Sequence, residues 1–529
     1  MVNMKRKLFN ILAIVSTILV LPSCETHSKK HEEVLSLSVS KQIYSGSGHI
    51  RVIGSDFVTP FNTSISSNVY YYKGQYTTAE LDDIKNTFEN DFLYYHALSD
   101  RHYDYYYYEN DDSEGVKITN IKTINDSYGT GESVIVDKYL FDLLKQSYEF
   151  SLNSNGKFNI FLGSLSDIYQ DKIDVLQTEE KSDIQKALML STDKMFSSFS
   201  ATEKSEIEKR AKSVPHTREE LEGLLTFDEA TTSIRFNQYQ NDNDIKLKIS
   251  LGGNAKGYAT EAVCDELQSK YSDLSMMGNQ SLSTMKKRSL SMMINSGFSS
   301  LKAVGERPDG KAWRIRYNNP IYYETIGINR PKINSQEVVV SNQGAFNIST
   351  SGYYEQYFYE FEDGEFKRRM HILDSNTGYS NTFFDQVSVY LNDAGLADLY
   401  TTALENTSSI SEAVELFNTL NNIYGNSDAG LILSYKSEVG NPNKHYDYSL
   451  ADFDRLSSYN LPILNLKDGA EYTGDYTDVP DNVVSVASKF KPSFQENYVF
   501  SSNLYSNASL LDASLLMYPD NVLAVISEL

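Results

Sequence analysis

The sequence is poor in cysteine, proline and tryptophan. It contains 2 cysteines, 11 prolines and 1 tryptophan among 529 residues. Two cysteines allow at most one disulfide, so a small disulfide-stapled fold is excluded and core packing has to stabilise the chain. The scarcity of proline, together with 39 tyrosines and 25 phenylalanines, favours ordered strands and helices over low-complexity linker.

Basic residues are also scarce. Lys and Arg number 48 against 71 Asp and Glu, which gives a formal net charge of -23. Binding to a phosphate backbone needs clustered Lys and Arg, so the composition argues against a nucleic-acid partner. With 40% hydrophobic residues the chain can bury a large core, which excludes wholesale disorder.

The first residues have the pattern of a targeting signal. Residues 5–7 are all basic, and Leu8 to Val20 is a largely apolar run of 13 residues. That run is shorter than the roughly 20 residues that cross a bilayer as a helix. It leads into Leu-Pro-Ser-Cys at residues 21–24, which resembles the bacterial lipobox. We therefore expect Cys24 to carry a lipid that anchors the protein on the extracytoplasmic face of a bacterial cell membrane; the alternative is an ordinary buried or free cysteine.

Changes in composition predict how the rest of the chain is organised. The predicted parts are a lipoprotein signal peptide at residues 1–23, a polar tether at 24–45, a main domain at 46–440 and a C-terminal extension at 441–529. Two insertions interrupt the main domain, a helical one near 170–225 and a smaller one near 272–288. Apolar spacing predicts helices over Glu80–Ala97 and Lys138–Ser151.

A double glycine joins a strand-like run to a helical pattern. Gly252 and Gly253 follow residues 245–249 and precede a helix that contains Cys264, which we interpret as a small buried residue. Glycines at such a junction let the backbone approach a ligand closely, and the helix N-terminus favours an anion. The alternative is a tight strand-to-helix turn, which also selects glycine.

A later helix carries two oxygen ligands on one side. Asp393 can cap this helix, and Asp398 and Thr402 lie four residues apart on it. A carboxylate and a hydroxyl are hard ligands that suit Mg²⁺, which leaves positions for water and phosphate. In the alternative, Thr402 packs its methyl group while Asp398 faces solvent.

Three further segments complete the set. His371 lies at a strand end, beside an Asp374 turn that closes with Thr-Gly. Residues 349–352 are Ser-Thr-Ser-Gly, small enough to let a ligand approach the backbone. Trp313 follows a Pro-Asp-Gly hairpin turn and is expected to anchor the core.

Taken together, these five segments resemble the FAD:protein FMN transferase family, the ApbE-type flavin transferases. The resemblance runs from about Ile50 to Leu433 and includes Gly-Lys-Phe-Asn at residues 156–159. It implies an α+β fold with a T-fold-like core, helical insertions and a C-terminal extension. It also implies an enzyme that uses Mg²⁺ to transfer FMN from FAD to a Ser or Thr hydroxyl of a partner protein, with release of AMP. The implied partner is an acceptor flavoprotein of an electron-transfer system.

The same resemblance implies a role for each matching residue. The implied catalytic residues are Asp398, Thr402 and His371. The implied metal ligands are the side chains of Asp398 and Thr402 and the main-chain oxygens of Gly253 and Thr401. The implied flavin-nucleotide contacts are Phe57 (together with Thr59), His102, Lys157, Phe158, Asn159, Ser250, Lys256, His371, Ile372 and Asp374.

The chain departs from the family pattern at three positions. Ser250, Val58 and Phe298 stand where the family commonly has Asp, Gly and Gly. Ser250 removes a carboxylate that would contact FAD. Three other functions stay open: a metal-dependent FAD pyrophosphatase that frees FMN and AMP, a lipoprotein that binds FAD without turnover, and a structural adhesin.

Overall fold

The computed structural model describes most of the predicted main domain. The described residues are 33–41, 44–45, 49–52, 57–58, 61, 63–110, 113–178, 196–272, 289–297, 299–317, 338–342, 344–352, 356–362, 365–384, 386–426, 429–438, 494–500 and 508–509. The predicted signal peptide with Cys24, residues 273–288 of the smaller insertion, Thr59, Phe298 and most of the C-terminal extension lie outside them.

Helices and strands mix along the chain, as the α+β prediction requires. The helices of the described residues are α1 (Thr78–Ser99), α2 (Ile121–Asp126), α3 (Lys138–Asn153), α4 (Gly163–Thr178), α5 (Ala201–Ala211), α6 (Arg218–Leu221), α7 (Ala255–Tyr271), α8 (Ala394–Glu405) and α9 (Ile410–Tyr424). The strands are β1 (Val34–Lys41), β2 (Tyr44–Ser45), β3 (Ile50–Val52), β4 (Phe57–Val58), β5 (Ile65–Tyr72), β6 (Tyr105–Tyr107), β7 (Val116–Lys117), β8 (Ser133–Ile135), β9 (Phe196–Ser197), β10 (Leu225–Asp228), β11 (Ser233–Phe236), β12 (Ser291–Ser296), β13 (Ser300–Val304), β14 (Trp313–Tyr317), β15 (Val338–Asn342), β16 (Phe346–Gly352), β17 (Tyr357–Glu362), β18 (Glu365–Met370), β19 (Gln386–Tyr390), β20 (Gly430–Glu438), β21 (Phe494–Phe500) and β22 (Ala508–Ser509).

An eight-stranded antiparallel sheet forms the centre of the fold. Its order is β1-β5-β12-β13-β16-β19-β20-β21. In β5 the side chains of Ile65, Ser67 and Val69 are buried and alternate with half-buried ones, as expected for a strand with one face on a core. The sheet begins with β1, inside the segment that we predicted as a tether, because Leu35, Leu37 and Val39 alternate with serines there. Strand β21 of the C-terminal extension pairs with β20.

Helix α8 carries three of the four predicted metal ligands, and the fourth, Gly253, lies in the turn before α7. Helix α7 packs on α1, β12 and β13, and α8 packs on β16 and β19. Asp393 caps α8 as predicted: its Oδ1 accepts a hydrogen bond of 2.8 Å from the backbone N–H of Leu396. The helices also contact each other, so the double-glycine turn before α7 and the polar residues of α8 lie side by side.

The α7–α8 crossing depends on two glycines. A Cβ at Gly257 would lie 2.3 Å from the carbonyl oxygen of Ala394 and 2.6 Å from Oδ2 of Asp398. At Gly395 a Cβ would lie 2.9 Å from Cδ2 of Tyr258. Real Cβ atoms do not approach other atoms so closely, so glycine is required here for close packing of the two backbones.

The buried side chains confirm two predictions about individual residues. Trp313 is 1% exposed and its indole N–H donates to the carbonyl of Gly305 at 2.7 Å, so it anchors the core as expected. Cys264 is fully buried among apolar side chains on α7. Among the described residues, no helix combines the length and the apolar character that a membrane span needs.

The α7–α8 crossing gives a prediction about stability. We expect Gly257→Ala to lower the free energy of unfolding by about 3 kcal/mol, because the new methyl group forces the helices apart. Urea unfolding followed by circular dichroism measures this change. Gly344→Ala is the matched control, since a Cβ there meets nothing within 4 Å. Equal stabilities for the two variants would contradict the requirement for a glycine at the crossing.

Candidate functional site

A cavity of about 520 Å³ opens beside the α7–α8 crossing. Its volume lies within the usual range for small-molecule sites. Ten of the predicted site residues line it: His102, Phe158, Asn159, Ser250, Gly253, Lys256, His371, Ile372, Asp398 and Thr402. These residues come from segments far apart in the sequence, and the fold brings them to one place. Thr350, Ser351 and Gly352 of the small hydroxyl segment also line the wall.

Three of the four residues predicted to bind the metal, Gly253, Asp398 and Thr402, line this cavity. The hydroxyl of Thr402 donates to the main-chain oxygen of Gly253 at 3.2 Å. Asp398 lies one helical turn before Thr402, and its Oδ2 accepts a hydrogen bond of 2.8 Å from the backbone N–H of Gly257. The ring of Phe158 packs against Gly253, where a Cβ would lie 2.8 Å from the ring. The double-glycine turn therefore brings a main-chain oxygen beside the polar residues of α8.

The carboxyl group of Asp398 lies in an environment that disfavours its negative charge. Asp398 is only 5% exposed, and burial raises its pKa to about 7. Lys256, the hydroxyl of Ser349 and the backbone N–H of Gly257 act in the opposite direction. A buried carboxylate of this kind is stabilised by a cation placed against it.

The donor set formed by Asp398, Thr402 and Gly253 fits Mg²⁺. It consists of a carboxylate, a hydroxyl and a main-chain oxygen, all hard ligands, and such a site leaves positions for water and phosphate. The part of the chain that the structure describes holds no cluster of three or more His, Cys, Asp or Glu side chains that could bind a metal. In this donor set the carboxylate is that of Asp398. This set does not resemble the nitrogen and sulfur ligands that zinc prefers.

His371 lies in the wall of the same cavity. Its backbone N–H donates to the carbonyl of Gln356 at 3.2 Å, and its Nδ1 lies 3.3 Å from the same oxygen. His371 lines the cavity and is accessible to solvent there. Burial and the nearby Lys256 lower its pKa to about 4, so the imidazole is neutral at neutral pH. A hydrogen bond from Nδ1 to Gln356 leaves Nε2 as the nitrogen that can accept a proton.

Three predicted residues do not line the cavity. The ammonium group of Lys157 pairs with Glu412 at 2.6 Å and donates to the carbonyl of Asn406 at 3.1 Å. The carboxylate of Asp374 accepts a hydrogen bond of 2.8 Å from the backbone N–H of Asn376 within its turn. Thr401 is buried, and its hydroxyl accepts from Ser351 and donates to the carbonyl of Asp398.

The structure describes Phe57 and the three positions that depart from the family pattern, Ser250, Val58 and Phe298, to different extents. The backbone of Phe57 and Val58 forms β4, which pairs with β2, but their side chains lie outside the described part. Ser250 lines the cavity, and its backbone N–H donates to the carbonyl of Ile160 at 2.8 Å. The roles assigned to all of these residues, and to those that do line the cavity, stay predictions.

A group of polar residues in the cavity wall was missed by the sequence analysis. The backbone N–H of Phe61 donates to Nδ1 of His96 at 3.1 Å, and Nε2 of His96 lies 3.1 Å from the hydroxyl of Tyr105. That hydroxyl donates to Oδ2 of Asp100 at 2.7 Å. The sequence offered one signal for this group, the spacing of four residues between His96 and Asp100, which can bring two side chains together at a helix end. The contacts to Phe61 and Tyr105 could not be derived from spacing.

This chain of hydrogen bonds requires a neutral His96. Nδ1 accepts a hydrogen bond from the backbone N–H of Phe61, so protonating Nδ1 would break that bond. Phe61 also has a φ of 53°, an unusual value for a bulky side chain that needs support from its surroundings. Burial lowers the pKa of His96 to about 4, and Asp100 opposes the effect.

The family model of the ApbE family matches residues 95–277 and 279–423, which is more than half of the chain. The chain therefore belongs to the ApbE family. No curated protein matches it.

Similar solved structures include three ApbE proteins, each from a different organism. The ApbE protein from Thermotoga maritima is 18% identical, with a TM-score of 0.45, over 74% of this chain and 94% of that one. The flavin transferase ApbE from Vibrio cholerae is 15% identical, with a TM-score of 0.46, over 76% and 94%. The flavinyl transferase ApbE from Pseudomonas stutzeri is 17% identical, with a TM-score of 0.44, over 76% and 92%.

The neutral His96 predicts a pH dependence of stability. The imidazole pKa is about 4 in the folded protein and about 6.5 in the unfolded chain, so the unfolded chain binds more protons between these values. Stability should therefore fall as the pH drops from 6.5 towards 4. We expect wild type to lose about 2 kcal/mol more than His96→Gln between pH 8 and pH 5, measured by urea unfolding. Parallel pH profiles would show that His96 is not held neutral.

Proposed function

We propose that this protein transfers FMN from FAD to a Ser or Thr hydroxyl of a partner protein, in a Mg²⁺-dependent reaction that releases AMP. Membership of the ApbE family supports flavin transfer as its enzymatic activity. The single observation that carries the finer proposal is the meeting of Asp398, Thr402, Gly253 and His371 in one cavity. In this proposal these residues supply a cation site and a proton acceptor, and Lys256 supplies a positive side chain.

The reaction moves one phosphoryl group. The acceptor oxygen attacks the phosphorus of the FMN half, the bond from that phosphorus to the bridging oxygen breaks, and AMP leaves with the bridging oxygen. The oxygens of Asp398, Thr402 and Gly253 would hold Mg²⁺, which supplies positive charge to phosphate oxygens when bound. The main-chain oxygen of Thr401 is a further proposed ligand.

The protein's own side chains supply charge and a proton acceptor. Lys256 lines the cavity, close enough to Asp398 and His371 to lower the pKa of both, and its ammonium group can bind a phosphate oxygen. The neutral ring of His371 can take the proton of the acceptor hydroxyl at Nε2. Phosphoryl transfer depends chiefly on such positioning and neutralisation of charge, so no covalent intermediate on the protein is needed.

A mass-spectrometric assay tests this proposal. We incubate the protein with FAD, Mg²⁺ and a secreted acceptor flavoprotein of an electron-transfer system, and expect the acceptor to gain the mass of one FMN as AMP appears. We expect Asp398→Asn to lower the transfer rate by about 100-fold, or roughly 3 kcal/mol, because the metal loses its carboxylate ligand.

Asp393→Asn is the matched control for this assay. It removes a carboxylate from the first turn of the same helix, and asparagine caps a helix about as well as aspartate, so activity should persist. Release of AMP with FMN in solution would favour the pyrophosphatase. Retention of FAD without AMP, unaffected by Asp398→Asn, would favour a binding protein.

We further propose that the protein is a lipoprotein anchored through Cys24 on the extracytoplasmic face of a bacterial cell membrane. The support is the order of the basic residues 5–7, the apolar run and the lipobox-like residues 21–24. We expect wild type to sediment with the membrane fraction and Cys24→Ala to lose the lipid mass. A wild-type protein that lacks the lipid by intact-mass measurement would contradict the anchor.

A further inference from the structure

A second hydrogen bond joins α7 and α8 one helical turn away from the first. The backbone N–H of Ala394, at the start of α8, donates to Oε2 of Glu261 on α7 at 2.7 Å. In the first contact, the backbone N–H of Gly257 on α7 donates to Asp398 on α8. Each helix therefore gives a backbone N–H to a carboxylate of the other helix.

Lys302 completes this second contact. Its ammonium group pairs with Oε1 of Glu261 and donates to the carbonyl of Asn392 at 2.8 Å, just before α8. Lys302 belongs to β13 and is only 7% exposed. A partly buried ion pair with such additional hydrogen bonds is well compensated, because both charges find partners. The first turn of α8 is thus tied to both α7 and the central sheet.

The spacing of these contacts restricts how α8 can move. Glu261 is four residues after Gly257, and Ala394 is four residues before Asp398. The two hydrogen bonds run in opposite directions about one turn apart, so a rotation or a shift of α8 would break at least one of them. Asp398 reaches the cavity wall only while α8 keeps this placement.

We propose that Glu261, held by Lys302, is a positioning residue for Asp398. This inference depends on the proposed function, because it concerns the carboxylate that would bind Mg²⁺. Glu261 does not line the cavity; it acts by accepting the hydrogen bond of Ala394. Residues that orient a metal ligand in this way typically change metal affinity about 10- to 100-fold when they are removed.

Two double variants separate the effect of the Ala394–Glu261 hydrogen bond from the effect of the Glu261–Lys302 ion pair. Glu261→Leu with Lys302→Met removes the ion pair and also the acceptor for Ala394. Glu261→Gln with Lys302→Met removes the same charges but keeps an oxygen that Ala394 can bond. Both avoid an unpaired buried charge, so both should fold. Calorimetric titration with Mg²⁺ alone measures the affinity, and hydrogen exchange of residues 394–402 in metal-free protein measures the placement of α8.

We expect the leucine variant to bind Mg²⁺ about tenfold more weakly than the glutamine variant and to exchange faster at residues 394–398. Leu267→Ala, in the buried face further along α7, is the control for general loss of stability. It should lower the melting temperature but leave Mg²⁺ affinity within about twofold of wild type.

Three outcomes are decisive. Equal Mg²⁺ affinity and equal exchange in the two double variants would overturn the positioning role. An equal loss of affinity in Leu267→Ala would show that Glu261 has only a structural role. If wild type binds no Mg²⁺, the proposed metal dependence fails, and the exchange rates alone decide whether Glu261 fixes α8: faster exchange in the leucine variant supports it and equal exchange overturns it.

Discussion

The close approach of α7 and α8 is the constraint on which the candidate site depends. With no side chain at residue 257, the backbone N–H of Gly257 reaches the carboxylate of Asp398, and the two helices pack almost backbone to backbone. This contact brings the double-glycine turn beside Thr402, so that a main-chain oxygen, a hydroxyl and a carboxylate meet. One small residue thereby fixes the relation between segments about 140 residues apart in the sequence.

Local charge in the cavity differs from the charge of the whole chain. A formal net charge of -23 repels phosphate groups at long range, so binding of an anionic nucleotide has to come from short-range contacts. In the proposed function Lys256 provides one of these contacts, and a divalent cation held against the buried carboxyl group of Asp398 provides a second. Coulomb attraction is strongest where water is excluded, which makes a partly enclosed cavity a suitable place for both.

Local signals in the sequence predicted the elements but not all contacts between them. The Asp393 cap, the glycine turn and the polar face of α8 could be predicted because capping and helical spacing are short-range effects. The alternating pattern in β1 was overlooked because the polar and charged residues just before it, at 28–33, made the whole segment look like a tether. The pairing of Lys157 with Glu412 and the hydrogen bonds of His96 could not be predicted, since each joins residues that only tertiary folding brings together.

The pairing of β20 with β21 has a consequence for biogenesis. During synthesis β20 is complete well before Phe494–Phe500 is made, and residues 439–493 come between them. At ordinary translation rates this interval is roughly 3 to 12 seconds. Until then one edge of the central sheet has unpaired backbone groups, and such an edge readily accepts a strand from another molecule. The nascent protein thus has an open sheet edge, at which misassembly can occur, until β21 pairs with β20.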